Sequence, residues 1–308
     1  MTEPSLATLA RRVLSEAGVE RGDTLLVACS GGVDSQVLLD VLAHVARPAR
    51  GKRHTAPPRF GLVACGVDHG LRDEAKAELA LAAALAESRG VPFRSVCVQV
   101  KPGSNLQARA RDERKVALRR VALEVGARLV ATGHHLDDRA ETVLIRVLRG
   151  APIQALAVLP PRSQYPGPAS GGSLEFIRPL IHASRAQIEA HARRRELAWA
   201  QDPSNRNPRF LRSRVREEVL PLLRSLDPRI AEHLVGLAEG ALGIGTHGTD
   251  PDSATSQGGR VLQRPEEALP DRTPEVSPTA HFDGGGVHAT RNSRAPLAPR
   301  VAPVKRKP

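Results

Sequence analysis

A glycine-rich turn at residues 30–35, with the sequence SGGVDS, carries residue types that can bind phosphate. Gly31 and Gly32 let the backbone approach an anion without a clashing Cβ atom. The helix expected after the turn adds its N-terminal N–H groups and the positive end of its dipole. The turn therefore predicts a site for the phosphates of ATP. The residues expected to bind the nucleotide there are Ser30, Gly31, Gly32, Val33, Asp34 and Ser35.

Asp34 is the one residue of the turn that does not suit phosphate by itself, because a carboxylate repels a phosphate group. A divalent cation that bridges the two groups removes this conflict, so the turn predicts Mg²⁺ together with ATP. The alternative is an ordinary connection between a strand and a helix. In that interpretation the glycines and serines are turn residues, and Asp34 or Ser35 caps the helix.

A second set of polar residues follows the apolar run 128–132, where the chain reads TGHHLDDRAET. The acids Asp137, Asp138 and Glu141 open a predicted helix, on which positions i and i+4 share a face. Carboxylates on one face predict an anionic site for an ammonium group or for Mg²⁺. The alternative is structural, since acids in the first turn complement the helix dipole. The predicted Mg²⁺ ligands are Asp34 and Asp138.

The segments that hold these residues alternate between strand and helix patterns. This alternation predicts an α/β fold with a doubly wound parallel sheet, in which ligands bind at the carboxyl ends of the strands. The predicted strands are residues 24–29, 60–67, 93–100 and 128–132. The predicted helices are residues 5–17, 35–46, 74–89, 105–125 and 138–149.

The chain from residue 150 onward gives weaker patterns. Residues 161–173 are predicted as a loop and residues 176–180 as a last strand. Ser184 and Gln187 have capping-box spacing for a helix that runs to about Leu197. Two further helices are predicted at 209–224 and 228–240, broken by Pro221 and Pro228.

Composition favours a soluble, nucleic-acid-binding protein. The formal charge is +12 and the sequence pI about 10.8, a balance that suits a polyanionic partner. No apolar stretch reaches the length of a membrane span and the start is no signal peptide, so we expect a cytoplasmic protein without a membrane partner. An odd number of cysteines, Cys29, Cys65 and Cys97, predicts reduced core thiols. The adjacent His134 and His135 are not expected to bind zinc.

The order Ser-Gly-Gly-x-Asp-Ser resembles the pyrophosphate loop (PP-loop) of the ATP pyrophosphatases, which cleave ATP between the α and β phosphates. Four further segments resemble one family of that superfamily, the tRNA(Ile)-lysidine synthetases. They are VDHGLR (67–72), NLQARARDERK (105–115), TGHHLDDRAETVLIRVLRG (132–150), and DPSN with FLRSRVREEVLPLLR (202–224).

The resemblance implies an adenine nucleotide α hydrolase-like fold and a specific reaction. With ATP and Mg²⁺, such enzymes join L-lysine to C2 of the wobble cytidine in tRNA(Ile) with a CAU anticodon. An adenylated tRNA is the intermediate, and pyrophosphate and AMP are released. A homodimer is a further expectation, although no motif of the sequence determines the oligomeric state.

The family's motifs also imply roles for individual residues. Asp34, Asp137, Asp138, Glu141 and Arg111 correspond to catalytic positions, with the acids near Asp137 receiving the lysine ammonium group. His69 and Arg114 correspond to nucleotide-binding positions. The arginines expected near the anticodon-binding surface are Arg212, Arg214 and Arg216.

Three domains follow from these interpretations. Residues 1–180 are expected to form the PP-loop ATP pyrophosphatase domain, and residues 181–240 a helical extension with tRNA-contacting arginines. Residues 241–308 hold eight Gly and nine Pro with one aromatic residue, Phe282, which predicts a low-complexity, disordered tail. The tail contributes a net charge of +2, so the remaining +10 belongs to residues 1–240.

Two other functions share some of these features. A different PP-loop enzyme, such as a tRNA thiolase or an amide-forming ligase, would share residues 24–45 but not the GHHLDD segment; a thiolase would need reactive cysteines. The second of these functions is that of a non-catalytic tRNA-binding protein with a vestigial loop.

Overall fold

A six-stranded sheet forms the centre of the protein, in a computed structural model that describes residues 3–47, 59–70, 74–100, 106–165, 174–200 and 210–244. Its strands are β1 (Thr24–Ala28), β2 (Gly61–Asp68), β3 (Phe93–Cys97), β4 (Leu129–Ala131), β5 (Arg162–Tyr165) and β6 (Leu174–Ile177). The strand order is β3-β2-β1-β4-β6-β5, and every neighbouring pair is parallel except β5 with β6. The predicted α/β fold with a doubly wound sheet is confirmed.

The order of the strands reverses at β1, since the chain proceeds outward to β2 and β3 and then returns to β4 on the other side. Ligands of such sheets bind in the crevice that this reversal opens at the carboxyl ends of the strands. The turn at 30–35 follows β1, and the GHHLDD segment follows β4. The topology therefore brings the two sets of polar residues to the same crevice.

Helices cover both faces of the sheet. They are α1 (Leu6–Glu16), α2 (Val33–Ala46), α3 (Glu74–Arg89), α4 (Leu106–Glu124), α5 (Leu136–Leu148), α6 (Arg185–Arg194), α7 (Leu211–Arg214), α8 (Leu220–Leu226) and α9 (Ile230–Ile244). Leu25, Val27 and Leu129 pack with residues of α1, α2, α3 and α6 on one face, and Leu26 and Val130 pack with α4 on the other. A separate apolar cluster joins α5 to α9. In the described part of the chain no helix is long and apolar enough to cross a membrane.

Asp40 ties three helices together inside this scaffold. Its buried carboxylate accepts hydrogen bonds from Arg89 of α3 (2.6 Å) and from Arg195, just past α6 (3.2 Å), and lies 2.8 Å from Nε2 of His191 of α6. Burial alone would raise the pKa of Asp40, but the hydrogen bonds from these three partners outweigh it and hold the pKa well below its usual range. The helix that begins at the glycine-rich turn is therefore fixed at its middle.

The predicted loop 161–173 is wrong at its start, where β5 pairs antiparallel with β6. This strand is polar and only four residues long, so it has no apolar run that sequence patterns detect. Its pairing depends on tertiary contacts, because Arg162 donates two hydrogen bonds to Glu175 and Tyr165 packs edge-on against Phe176. The last strand was predicted at residues 176–180. In the structure it is β6 (Leu174–Ile177), which ends three residues earlier.

The helices after residue 180 differ from the prediction in their ends. The capping box at Ser184 and Gln187 is confirmed. Pro221 lies in the first turn of α8 and does not break the helical path, which continues into α8 from α7. One turn of π-helix (Val215–Val219) connects α7 to α8. Helix α9 runs to Ile244, four residues past its predicted end at residue 240, so the first four residues of the predicted disordered tail are helical; residues 245–308 lie outside the described residues.

Candidate active site

The turn at 30–35 has a backbone shape that requires glycine. Gly31 has φ +83°, a left-handed conformation that side chains disfavour. A Cβ atom at Gly31 would also overlap the backbone carbonyl of Glu78 in α3. Gly32 is the N-cap of α2, and Val33 is its first residue. The first glycine therefore permits a close approach of α3, and the second starts the helix whose N–H groups face the crevice.

Ser35 and residues near 199 hold the turn in this shape. The Ser35 hydroxyl donates to the carbonyl of Gly32 (2.9 Å) and accepts from the backbone N–H of Ser30 (3.2 Å). The N–H of Ala200 donates to the carbonyl of Gly31 (2.9 Å). Ser35 was predicted as a phosphate donor, and in this structure its proton is committed to the turn itself. Ser30 is exposed, and its hydroxyl oxygen lies 3.4 Å from that of Ser35.

A cavity of about 220 Å³ lies beside the turn and brings together predicted nucleotide-binding residues from three elements. Ser30 of the turn, His69 just after β2 and Arg114 of α4 all line it. Burial lowers the pKa of Arg114, and the charge of Arg111 lowers it further. Arg111 is exposed one turn earlier on the same helix. The other lining residues are Cys29, Cys65, Val67, Ala75, Glu78 and Leu79.

Asp34 faces the loop that follows β4. Its Oδ1 atom is buried and has no hydrogen-bond partner among the described residues. Burial raises the pKa of Asp34; the charge of Asp138 adds to this rise, and that of His135 opposes it. A Cβ atom on Gly133 would come within 3.0 Å of the Asp34 carbonyl carbon, so the two loops touch through their backbones. Asp34 thus has one buried carboxylate oxygen that receives no hydrogen bond from the part of the chain that the structure describes.

His135 links the two predicted metal ligands. Its Nε2 atom lies 3.6 Å from Oδ1 of Asp34 and 3.4 Å from Oδ2 of Asp138, and the ring is fully buried. The two carboxylates therefore converge on one point between the ends of β1 and β4. Among the described residues, no group of three or more His, Cys, Asp or Glu side chains could hold a metal ion alone.

The three acids of α5 are buried and paired with arginines. Glu141 accepts from Arg216 (Nε, 2.7 Å) and Arg212 (Nε, 3.1 Å). Asp138 accepts from the same two guanidinium groups at 3.4 Å and 3.3 Å. Asp137 accepts a short bond from Arg224 and lies under the N-terminus of α6. We call this group of three acids and their arginines the acid–arginine cluster; its members are Asp137, Asp138, Glu141, Arg185, Arg212, Arg216 and Arg224.

The acid–arginine cluster is neutralised within the chain. Arg185 completes it, with Nη2 3.7 Å from Glu141, so four guanidinium groups surround three carboxylates. Burial alone would raise the pKa of Asp138, but the charges of His135, His134 and the arginines lower it well below its usual range. The sequence predicted an open anionic site here, and the structure instead shows acids that already have cationic partners.

The arginines of residues 211–226 were predicted to contact tRNA, and the structure places them in two environments. Arg212 and Arg216 point into the cluster, as positions four apart on a helix can do together. Arg214 points away and pairs with Glu218 at the surface. Sequence reasoning missed Arg224, which lies on the next turns of the same face. Arg72, Asp202 and Asn205 lie outside the described residues.

Comparisons with known proteins agree with this geometry. Residues 5–223 match the family described as a PP-loop domain. The tRNA(Ile)-lysidine synthase of Pseudomonas putida is 39% identical over 216 residues, which cover 70% of this chain and 47% of the relative. That of Pseudomonas aeruginosa is 42% identical over 203 residues, covering 66% and 42%. The chain therefore spans less than half the length of these curated relatives.

A solved structure shares the fold. The U34-tRNA thiolase NcsA from Methanococcus maripaludis superposes with a TM-score of 0.61 at 21% sequence identity, over 77% of this chain and 78% of the thiolase. At this level of identity the likeness concerns the fold alone.

Proposed function

The chain belongs to the PP-loop domain family, and from that premise we propose that it acts as a tRNA(Ile)-lysidine synthetase. The observation that carries the proposal is the convergence of two motifs at the strand reversal. The turn after β1 brings Asp34, and the segment after β4 brings Asp138, to either side of His135. Similarity to the lysidine synthases of two Pseudomonas species supports the choice of reaction.

ATP would occupy the crevice beside the turn. The cavity lined by Ser30, His69 and Arg114 would take part of the nucleotide, with its phosphates at the turn and the N-terminus of α2. The carbonyl oxygen on C2 of the cytidine would attack the α phosphorus, and pyrophosphate would leave. A helix N-terminus favours the charge on the departing pyrophosphate.

The residues present fit the Mg²⁺ that ATP chemistry implies. The buried Oδ1 of Asp34 has no hydrogen-bond partner among the described residues, and an unpaired carboxylate oxygen beside a phosphate site suits a cation. Mg²⁺ binds through one or two carboxylates together with substrate phosphates and water, so Asp34 and Asp138 would be sufficient protein ligands. When bound, the ion would neutralise charge on the phosphates.

Lysine would bind beside the same crevice through the acid–arginine cluster. Three carboxylates already face four guanidinium groups there, so an added ammonium group would increase an existing excess of positive charge. We propose that the ammonium group replaces one guanidinium group, either that of Arg212 beside Glu141 or that of Arg224 beside Asp137. These two arginines are the most exposed of the cluster, at 39% and 36% of their side chains, and would leave at the smallest cost in desolvation.

A thiolase fits these residues less well. Cys29 and Cys65 are buried beside the cavity, and burial raises the pKa of their thiols to about 12 and about 11. A nucleophilic or metal-binding cysteine requires the thiolate form, which such values suppress at neutral pH.

The test separates activation from transfer. Full-length protein is mixed with labelled pyrophosphate, ATP and a transcript of tRNA(Ile) with a CAU anticodon, and then with labelled lysine. We expect ATP–pyrophosphate exchange that requires the tRNA, followed by incorporation of lysine into RNA. A methionine tRNA with the same anticodon is the control. ATP–pyrophosphate exchange that does not depend on the tRNA would overturn the proposal, and so would tRNA binding without exchange.

A further inference from the structure

Three exposed arginines lie together at the amino-terminal end of the sheet, opposite the crevice. Arg21 lies shortly before β1, Arg47 directly after α2, and Arg59 shortly before β2. The backbone brings them together, because the N–H of Arg59 donates to the carbonyl of Ala46 (2.8 Å) and the N–H of Gly22 donates to the carbonyl of Arg59 (3.3 Å). We call these three residues the basal arginines.

The basal arginines have little negative charge around them. No ion pair joins any of the three to another described residue. Of the two acids in the turn before β1, Asp23 is already paired with Arg128 (2.9 Å), and Glu20 is exposed to solvent. Residues 48–58 add three cations and no acid to the sequence there, and they lie outside the described residues. This end of the sheet therefore has an excess of positive charge.

The basal arginines are well separated from the crevice. Helix α2 has 14 residues and joins the glycine-rich turn to Arg47, so about 21 Å separate its two ends. The basal arginines therefore do not belong to the site for ATP, lysine or the wobble base. A tRNA with its anticodon at the crevice extends further than the length of this helix, so the rest of the molecule can reach them.

Unpaired surface arginines suit the phosphates of a nucleic acid. The guanidinium group is a planar donor that binds phosphate through two parallel hydrogen bonds. Each phosphate that an arginine neutralises releases condensed counterions, which adds affinity that falls with salt. We propose that the basal arginines bind the phosphate backbone of the tRNA outside the anticodon stem-loop. The inference rests on the proposed function, which supplies the tRNA.

The test removes the three charges together and measures how tRNA binding depends on salt. For Arg21→Gln/Arg47→Gln/Arg59→Gln we expect the slope of log affinity against log salt to fall by about three with a full-length tRNA(Ile) transcript. Affinity for the isolated anticodon stem-loop, which reaches the crevice alone, should stay within about twofold of the wild type. ATP–pyrophosphate exchange at saturating tRNA should not change, which also shows that the variant is folded.

The control variant removes the same amount of charge from arginines that already have partners. Arg12→Gln/Arg120→Gln/Arg193→Gln breaks three exposed ion pairs with acids four residues away. Its salt slope should differ from that of the wild type by less than about one, because these side chains are already neutralised. An equal fall in the control would mean that net charge alone governs binding, and it would overturn the inference.

Three further results would overturn the inference. An unchanged slope in the first variant would mean that the basal arginines do not contact the tRNA. An equal loss with the stem-loop would place the contact at the anticodon, and an equal loss with duplex DNA of similar length would mean that the surface accepts any polyanion. Absence of exchange in the wild-type protein would instead refute the proposed function, and the comparison of salt slopes would still decide whether the basal arginines bind RNA.

Discussion

The glycine-rich turn (residues 30–35) and the acid–arginine cluster lie side by side in one crevice. They differ in whether their buried carboxylates already have cationic partners. The turn is fixed by glycine geometry and by Ser35, and Oδ1 of Asp34 receives no hydrogen bond from the described residues. The cluster gives each of its buried acids at least one arginine. The turn could therefore bind a cation without rearrangement. In the cluster, an arginine would have to leave its carboxylate before a cationic ligand could bind there.

The comparison predicts that loss of charge at the turn removes activity without loss of fold. Asp34→Asn should slow ATP–pyrophosphate exchange by about 10³-fold, since the cation that Asp34 would help to hold supplies several kcal/mol of charge stabilisation. Affinity for tRNA should stay within about twofold of the wild type, because Asp34 is assigned to the cation and the phosphates of ATP and not to a contact with RNA phosphates. Filter binding and exchange on the same preparation measure both. An unchanged exchange rate would place Asp34 outside the metal site.

Loss of charge in the cluster should instead destabilise the fold. Glu141→Gln removes the charged acceptor nearest to Arg212 and Arg216 and leaves Asp138, at 3.3 Å and 3.4 Å, as their shared anionic partner, which should lower the free energy of unfolding by about 2 kcal/mol. The control is Glu218→Gln, which breaks the exposed pair with Arg214 and should cost less than about 1 kcal/mol. Urea unfolding measures both. Equal effects of the two substitutions would mean that the cluster is as solvated as the surface.

The backbone of the turn offers a matched pair of substitutions. Gly31→Ala should cost about 1–3 kcal/mol, because φ is positive there and the new methyl group would overlap the Glu78 carbonyl. Gly32→Ala should be close to neutral for stability, since its nearest neighbour, Ser30 Oγ, is 3.7 Å away. Thermal unfolding distinguishes them. If Gly32→Ala were the more harmful, the turn would have a different shape in solution.

Asp137→Asn tests whether the cluster also serves lysine. Removing this charge should raise the KM for lysine by about 10-fold, the usual worth of a hydrogen bond to a charged group. ATP–pyrophosphate exchange should not change. Impaired exchange with an unchanged lysine KM would assign Asp137 to the nucleotide region and remove the distinction between the two regions.

The pH dependence of stability should have opposite signs in the two regions. Asp138 has a lowered pKa, so its contribution is present above the unfolded pKa of about 3.9 and is lost as the pH falls below it. Asp34 has a raised pKa, so its contribution is lost as the pH rises above the same value. At pH 7, Asp34→Asn should therefore be slightly more stable than the wild type, and Asp138→Asn less stable. Melting temperatures measured at pH 7, at pH 4 and at a pH about one unit below the unfolded pKa test this, and a shared sign would contradict it.

The turn was predictable from the sequence because its chemistry is local. Within about twenty residues the chain contains a strand, two glycines, an acid and a helix. The strand and the helix are detected by the spacing of their apolar residues, and the glycines and the acid by their residue types. The elements up to α5 were predicted within a few residues of their ends for the same reason. The nucleotide-binding roles of His69 and Arg114 were predicted from the family resemblance. The fold places both residues beside one cavity.

The cluster was predictable only in part. The acids share one segment, but their partners come from α6, α7, the π-helical turn and α8, up to 87 residues away along the chain. No local pattern reports which arginine meets which carboxylate. The strand β5 was missed for a similar reason, since its pairing with β6 depends on Arg162 meeting Glu175.

The three-way tie at Asp40 has a mechanical consequence. Because α2 is anchored to α3 and to the end of α6, the turn at its N-terminus is held in a fixed position, and α2 would not shift along its axis if pyrophosphate left the proposed site. Residues 211–226 are attached to α5 by ion pairs with partly exposed arginines and by the apolar packing of Leu220. In the proposed function, RNA phosphates could compete for those arginines. If the protein moves during turnover, we therefore expect residues 211–226 to move while the sheet stays in place.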